Sequence, residues 1–197
     1  MKFAEAFGGI IPGPLGTVLA ALLRTGTPLT GRQVHALVSD RASLWSVQQA
    51  LSALADLGLV ETTPVGRALV HTINEEHRSI PALRELVDPL AQLRKVVREA
   101  VGDGVQAVML FGSLARGEAT ATSDVDLAVI APPAWAGRSR LQDAVRQRLG
   151  NECDVLVFTP DEFWASASEG TEPVVADILA DGIVLTGALP TQRVGAA

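Results

Sequence analysis

The chain has 197 residues, 48% of them hydrophobic, and a formal net charge of −6 at pH 7. That length suits one large domain or two small ones, with apolar residues enough for a sizeable core. No run of eighteen apolar residues lacks charge, which argues against a membrane span. The N-terminal residues Lys2, Glu5, Gly8 and Gly9 do not read as a secretory leader, and one cysteine, Cys153, cannot make an intrachain disulfide, so the expected compartment is cytoplasmic. The charge is split: residues 1–104 hold ten Lys/Arg and ten Asp/Glu, residues 105–197 six and twelve. An acidic half is a poor nonspecific nucleic-acid binder and suits a site that concentrates cations, although a solvated acidic surface accounts for the same numbers.

Residues 1–13 read as an arm. From Leu15 to Arg24, Leu15, Val18, Leu19, Leu22 and Leu23 recur at helical spacing, and Gly26 and Pro28 end the segment. A second helix is predicted from Thr30, its N-cap, to Val38, with Val34, Leu37 and Val38 inward. A third runs from Ser43 to Leu57, with Leu44, Val47, Leu51, Leu54 and Leu57 on one stripe and Gly58 as its stop. Leu59–Thr63 reads as a strand, Pro64-Val65-Gly66 as a turn and Arg67–Ile73 as a returning strand. Ser46-Val47-Gln48-Gln49-Ala50-Leu51 through Leu57-Gly58-Leu59-Val60 resembles the recognition helix and first wing strand of winged helix-turn-helix regulators, over residues 14–74. The resemblance implies a third helix in a DNA major groove, with Ser43, Trp45, Ser46, Gln48, Gln49 and Ser52 as candidate contacts. No Lys or Arg lies between Arg41 and Arg67, so phosphate anchors are scarce. An interaction or dimerisation module is the alternative.

Residues 75–104 read as a bridging helix. It opens near Asn74–His77, carries apolar residues from Leu83 to Val101 at helical spacing, and is interrupted near Pro81 and Pro89. His35, His71 and His77 lack metal-ligand spacing and are expected at the surface or in caps.

Val105–Phe111 is a short buried-strand pattern, and Gly112-Ser113 then turns the chain sharply, with a helix start expected at Leu114–Gly117. Gly112 lets the backbone approach a ligand closely, and backbone amides with the Ser113 hydroxyl suit a phosphate oxygen. Eleven residues past Ser113 stands Asp124-Val125-Asp126, opening a strand to Ile130. Residues i and i+2 of a strand share a face, so both carboxylates project together. Two such acids repel, and a divalent cation resolves the conflict, Mg²⁺ or Mn²⁺ being favoured by hard oxygen ligands. Cys153–Phe158 is another strand, with Asp154 at its entrance as the expected third acid, either completing the metal shell or taking a proton, and Glu152 as a weaker candidate. Cys153 is expected to pack inward.

Gly112-Ser113, the eleven-residue interval, Asp124-Val125-Asp126 and Asp154 resemble the nucleotidyltransferase superfamily related to DNA polymerase beta. The text from Ser113 to Leu127 is similar to its minimal members, and Asp177–Leu185 to their last helix and strand, so the likeness spans about residues 83–187. Together the two resemblances imply an α+β fold: an N-terminal winged helix-turn-helix (14–74), a linker helix (75–104) and a nucleotidyltransferase domain (105–187) with a small mixed sheet flanked by helices. By the second resemblance Gly112, Ser113 and Arg116 bind the donor triphosphate, and Asp124, Asp126 and Asp154 hold two metal ions. Arg116 has a second reading, pairing with Glu118. The implied activity is transfer of a nucleoside monophosphate, AMP foremost, from NTP (ATP) to a hydroxyl. The acceptor is expected to be a protein, such as a helical toxin answered by this chain as antitoxin, or an antibiotic. Operator DNA and a second copy of the chain are further expected partners. The competing expectation is a DNA-binding regulator whose nucleotidyltransferase domain senses nucleotides or a partner.

Overall fold

The structure, a computed structural model, describes residues 1–120 and 123–189. Ala121 and Thr122, within the interval between Ser113 and Asp124, lie outside the described residues. The chain divides into two compact units, residues 2–89 and residues 90–197 together with Met1.

In the first unit α1 (Gly13–Thr25) starts on Pro14, which needs no intrahelical N–H partner there, and ends at Gly26 in the left-handed conformation. A two-residue strand, β1 (Leu29–Thr30), precedes α2 (Gly31–Val38). Thr30 caps α2 through a reciprocal capping box with Gln33, as its position ahead of an amphipathic run demands. Helix α3 (Leu44–Asp56) is capped by the Ser43 hydroxyl, which accepts from the Ser46 amide. Its buried face is Val47, Ala50, Leu51 and Leu54, packed with Val18, Leu19 and Leu22 of α1 and Val34 of α2 in one apolar core. Burying one such leucine contributes about 2 kcal/mol. The apolar stripes run longer than the core: Leu37, Leu44 and Leu57, expected inward, are 56%, 38% and 58% exposed. They sit in the terminal turns of their helices, beyond the neighbours that cover the middle.

Strands β2 (Val60–Val65) and β3 (Ala68–Ile73) form an antiparallel hairpin, and β1 pairs with the other side of β3. The expected turn at 64–66 is displaced. Pro64 pairs with Leu69 inside the ladder, and the chain reverses at Gly66-Arg67. Pro64 is tolerated because β2 is an edge strand, where a missing N–H breaks no ladder bond on its outer side. His71, expected at the surface, is 8% exposed, and its Nδ1 lies 3.0 Å from Thr62 Oγ1 on the facing strand.

The expected bridging helix is two helices, α4 (Ile80–Leu86) and α5 (Pro89–Val101). Residues 74–77 do not open a helix. Asn74 donates its amide to the Gly58 carbonyl and accepts from the Glu76 N–H, which holds a turn instead. Pro81 and Pro89 stand in first turns, where they start helices rather than kink them.

The second unit carries β4 (Ala107–Phe111), the single-turn helix α6 (Gly112–Ala115), β5 (Val125–Ile130), α7 (Arg138–Leu149), β6 (Cys153–Phe158), α8 (Pro160–Glu169), α9 (Pro173–Asp181) and β7 (Ile183–Gly187). The sheet is mixed, in the order β6-β5-β4-β7. β4 runs antiparallel to β5 and β7, whereas β5 and β6 are parallel and joined through α7. One sheet face, with Ala107, Met109, Ala128 and Ile130, packs against Phe163 of α8 and Val175 and Ile178 of α9. Alternation sends Val108, Leu110, Leu127, Val129 and Val155 to the other face, and all are buried. The architecture is mixed α+β. Among the described residues no helix is long and apolar enough to cross a membrane.

Candidate functional site

The site lies where β4 ends and β5 and β6 begin. Phe111 of β4 pairs with Asp126 of β5, and Asp126 pairs with Asp154 of β6. Cross-strand partners share a sheet face, so Phe111, Asp126 and Asp154 form one row across the strands. Below that row the same face continues as Met109, Ala128 and Leu156, the first two of them in the apolar core. The carboxylates are therefore the polar rim of a hydrophobic layer. Asp126 is half-buried, while Asp124 and Asp154 are exposed.

Gly112 closes one side. Its φ is 72°, and a Cβ there would clash with Asp126 Oδ2. Only a residue without a side chain permits both that backbone turn and that approach. Helix α6 starts at Gly112 itself rather than at the expected Leu114, and the Glu118 N–H returns to the Ser113 carbonyl at 2.9 Å.

The acids perturb one another. Burial holds the Asp126 carboxyl above its ordinary value, and the charges of Asp154 and Asp124 add to that. Burial also pushes the Cys153 thiol up to about 12, with Asp154 next in effect, so this cysteine is protonated at neutral pH and inert as a nucleophile. Glu152 does not join the acids. It is exposed, its side chain lies 3.4 Å from Arg146 Nε, and its backbone carbonyl accepts from the Val125 N–H.

Arg116 is exposed and donates from Nε to Glu118 Oε2 at 2.8 Å. That bond, then the charge of Glu118, with weaker help from Asp177 and Asp181 of α9, raises its pKa further. The pairing with Glu118 is thus present, and the guanidinium keeps other donors for an anion. Sequence reasoning missed Asp177 and Asp181 as electrostatic neighbours of Arg116, since only the fold brings α9 beside α6. It also missed Gln142, whose amide donates to the Cys153 carbonyl at 2.9 Å beside Asp154.

Among the described residues no group of three His, Cys, Asp or Glu side chains is arranged to hold a metal ion. The donor chemistry nevertheless suits a hard divalent cation. Two carboxylates share a cross-strand row, a third precedes Val125, and the half-buried member, its carboxyl raised above the ordinary value by burial and by the other two acids, gains from a nearby positive charge.

Residues 90–180 match the family model of the nucleotidyltransferase domain. The chain therefore carries the domain of an enzyme class. No curated protein matches the chain. Among solved structures, a toxin–antitoxin complex with AMP-PNP aligns at 21% identity, over 51% of this chain and 74% of that one, with a TM-score of 0.38. The tri-AMPylated Shewanella oneidensis HEPN toxin in complex with MNT antitoxin aligns at 20% identity, over 50% and 70%, with a TM-score of 0.34. The MntA–HepT toxin–antitoxin complex aligns at 20% identity, over 50% and 70%, with a TM-score of 0.33.

Proposed function

We propose that this chain transfers a nucleoside monophosphate, AMP foremost, from NTP to the hydroxyl of an acceptor. The observation that carries the reading is the row of Asp126 and Asp154 closed by Gly112, whose missing side chain is what lets the turn approach Asp126. In this reading Gly112 and Ser113 bind the triphosphate, the first through its free backbone and the second through its hydroxyl. Arg116 leaves Glu118 to contact the same anion. Asp124, Asp126 and Asp154 would hold Mg²⁺ or Mn²⁺, which supplies charge for the attacking hydroxyl and the pyrophosphate leaving group. Asp154, exposed at the entrance of β6, either completes that metal shell or takes the proton of the acceptor hydroxyl. Burial of Asp126 keeps its carboxylate poorly solvated, so it gains most from a cation.

The acceptor is proposed to be a partner protein, a helical toxin that this chain answers as antitoxin. The likeness of Ser113–Leu127 to the minimal nucleotidyltransferases, which resemble antitoxins and, in other members, antibiotic-modifying enzymes, supports the toxin as the acceptor to test first and an antibiotic as the alternative. Incubation of the full chain with labelled ATP, Mg²⁺ and the product of the neighbouring gene should transfer label to it. Asp124→Ala with Asp126→Ala should lower transfer by at least about a thousandfold, since both act on the transition state. Transfer that persists in the double variant would remove the acids from the mechanism.

A second reading rests on helix α3. Trp45, Gln48, Gln49 and Ser52 are exposed along it, ahead of the β2–β3 hairpin. We infer that residues 14–74 act as a winged helix-turn-helix on operator DNA, as a dimer, in an antitoxin that represses its own gene. A mobility-shift assay on the upstream region tests this, and no shift at low salt would count against it, because low salt favours phosphate contacts.

A further inference from the structure

The first unit contains a cleft of about 900 Å³ between α3, the β2–β3 hairpin and the start of α2. Small-molecule sites commonly measure about 300–1,000 Å³. Its floor is Leu51 and His71, 3% and 8% exposed. The Nδ1 of His71 meets Thr62, whereas Nε2 has no hydrogen-bond partner among the described residues. Among those residues no fully buried side-chain nitrogen or oxygen lacks a partner. The free ring nitrogen is therefore not fully buried, in a residue that lines the cleft.

The wall is apolar and uncovered. Leu69 lies two residues from His71 on the same face of β3 and is 55% exposed, and Val65 at the hairpin tip is 59% exposed. The mouth is cationic. Arg32 and Arg67 line it without an ion pair among the described residues, against one acid, Asp56. An apolar wall, a buried polar anchor and two unpaired guanidinium groups describe an amphipathic anion.

We propose that this cleft binds a small organic carboxylate with an apolar body. The body lies along Leu51 and Leu69, and the carboxylate meets Arg32 and Arg67 at the mouth. A neutral apolar molecule would leave the two guanidinium groups without a partner and gain nothing from them. Within this cleft a run of phosphates would meet only Arg32 and Arg67, since residues 42–66 contain no Lys or Arg, so operator DNA read by residues 14–74 would lie outside the cleft. The proposal does not depend on the nucleotidyl-transfer reading.

Calorimetric titration of the full chain with decanoate and with decanamide tests it. Decanoate should bind one to one, at least tenfold more tightly than the amide. Leu69→Asp and Arg67→Gln, at exposed positions where folding is little affected, should each weaken decanoate at least tenfold with unchanged circular dichroism. Asp126→Asn should leave binding unaltered. Equal affinity for acid and amide, or binding indifferent to Leu69→Asp, would overturn the proposal. So would no binding of decanoate, and duplex DNA binding lost in the same two variants would then give the face to nucleic acid.

Discussion

A methyl group at residue 112 has no room. The left-handed backbone of Gly112 disfavours any side chain, and Asp126 Oδ2 occupies the place of a Cβ. Gly112→Ala is expected to lower kcat/KM at least tenfold and to cost about 1–3 kcal/mol of stability in urea melts, the range for strained backbone. Wild-type turnover in that variant would show that the turn need not hold its shape. His71 makes a different prediction. Burial lowers its pKa below the ordinary value of 6.5. The folded state then binds fewer protons than the unfolded state once pH drops below that value. Its stabilising contribution is present above pH 6.5 and is lost as pH falls through the depressed folded value. Thermal midpoints of the wild type should fall over that acid window more steeply than those of His71→Gln. Parallel curves would remove His71 as the cause. At this scale the acids and Gly112 were legible because residue type, interval and strand alternation are local. The burial of His71 was not, because it depends on β1, α1 and α2 arriving against β3.

Caps are the part of an element that sequence specifies best. Thr30 ahead of Gln33 marks the start of α2, and the structure places both halves of the capping box there. Thr30→Ala is expected to cost about 1 kcal/mol in urea melts, and no loss would mean that β1 pairing alone sets this helix start. Element ends away from caps were less legible. Leu44 and Leu57 continue the stripe of α3 by periodicity, yet lie exposed because no neighbour reaches the terminal turns. Pro64 reads as a turn residue in isolation, and only the edge position of β2 lets it remain in a strand. Strand β1 is two residues long, too short for any period. Helix α7 escaped because its buried residues, Leu141, Val145 and Leu149, number one per turn among polar neighbours.

The whole molecule has two compact units, each with its own buried core. A ligand of the acid row should therefore leave its mark on one of them. Hydrogen exchange with Mg²⁺ and a nonhydrolysable ATP analogue is expected to slow in residues 107–130 and 153–158, with residues 13–56 unchanged. Asp126→Asn should erase the protection. Protection confined to residues 13–56 would move the nucleotide to the other unit. By itself the sequence determined the helix stripes, the hairpin, the strand beginning at Val125 and the acids on its face, because each follows from spacing along the chain. Tertiary structure decided what spacing cannot carry. The strand order sets Asp154 beside Asp126 across 28 residues of sequence, the arrival of α9 gives Arg116 its acidic neighbours, and the approach of α3 to the hairpin makes the cleft above His71. Those depend on which elements share a core, and burial of apolar surface fixes that only when the chain closes on itself.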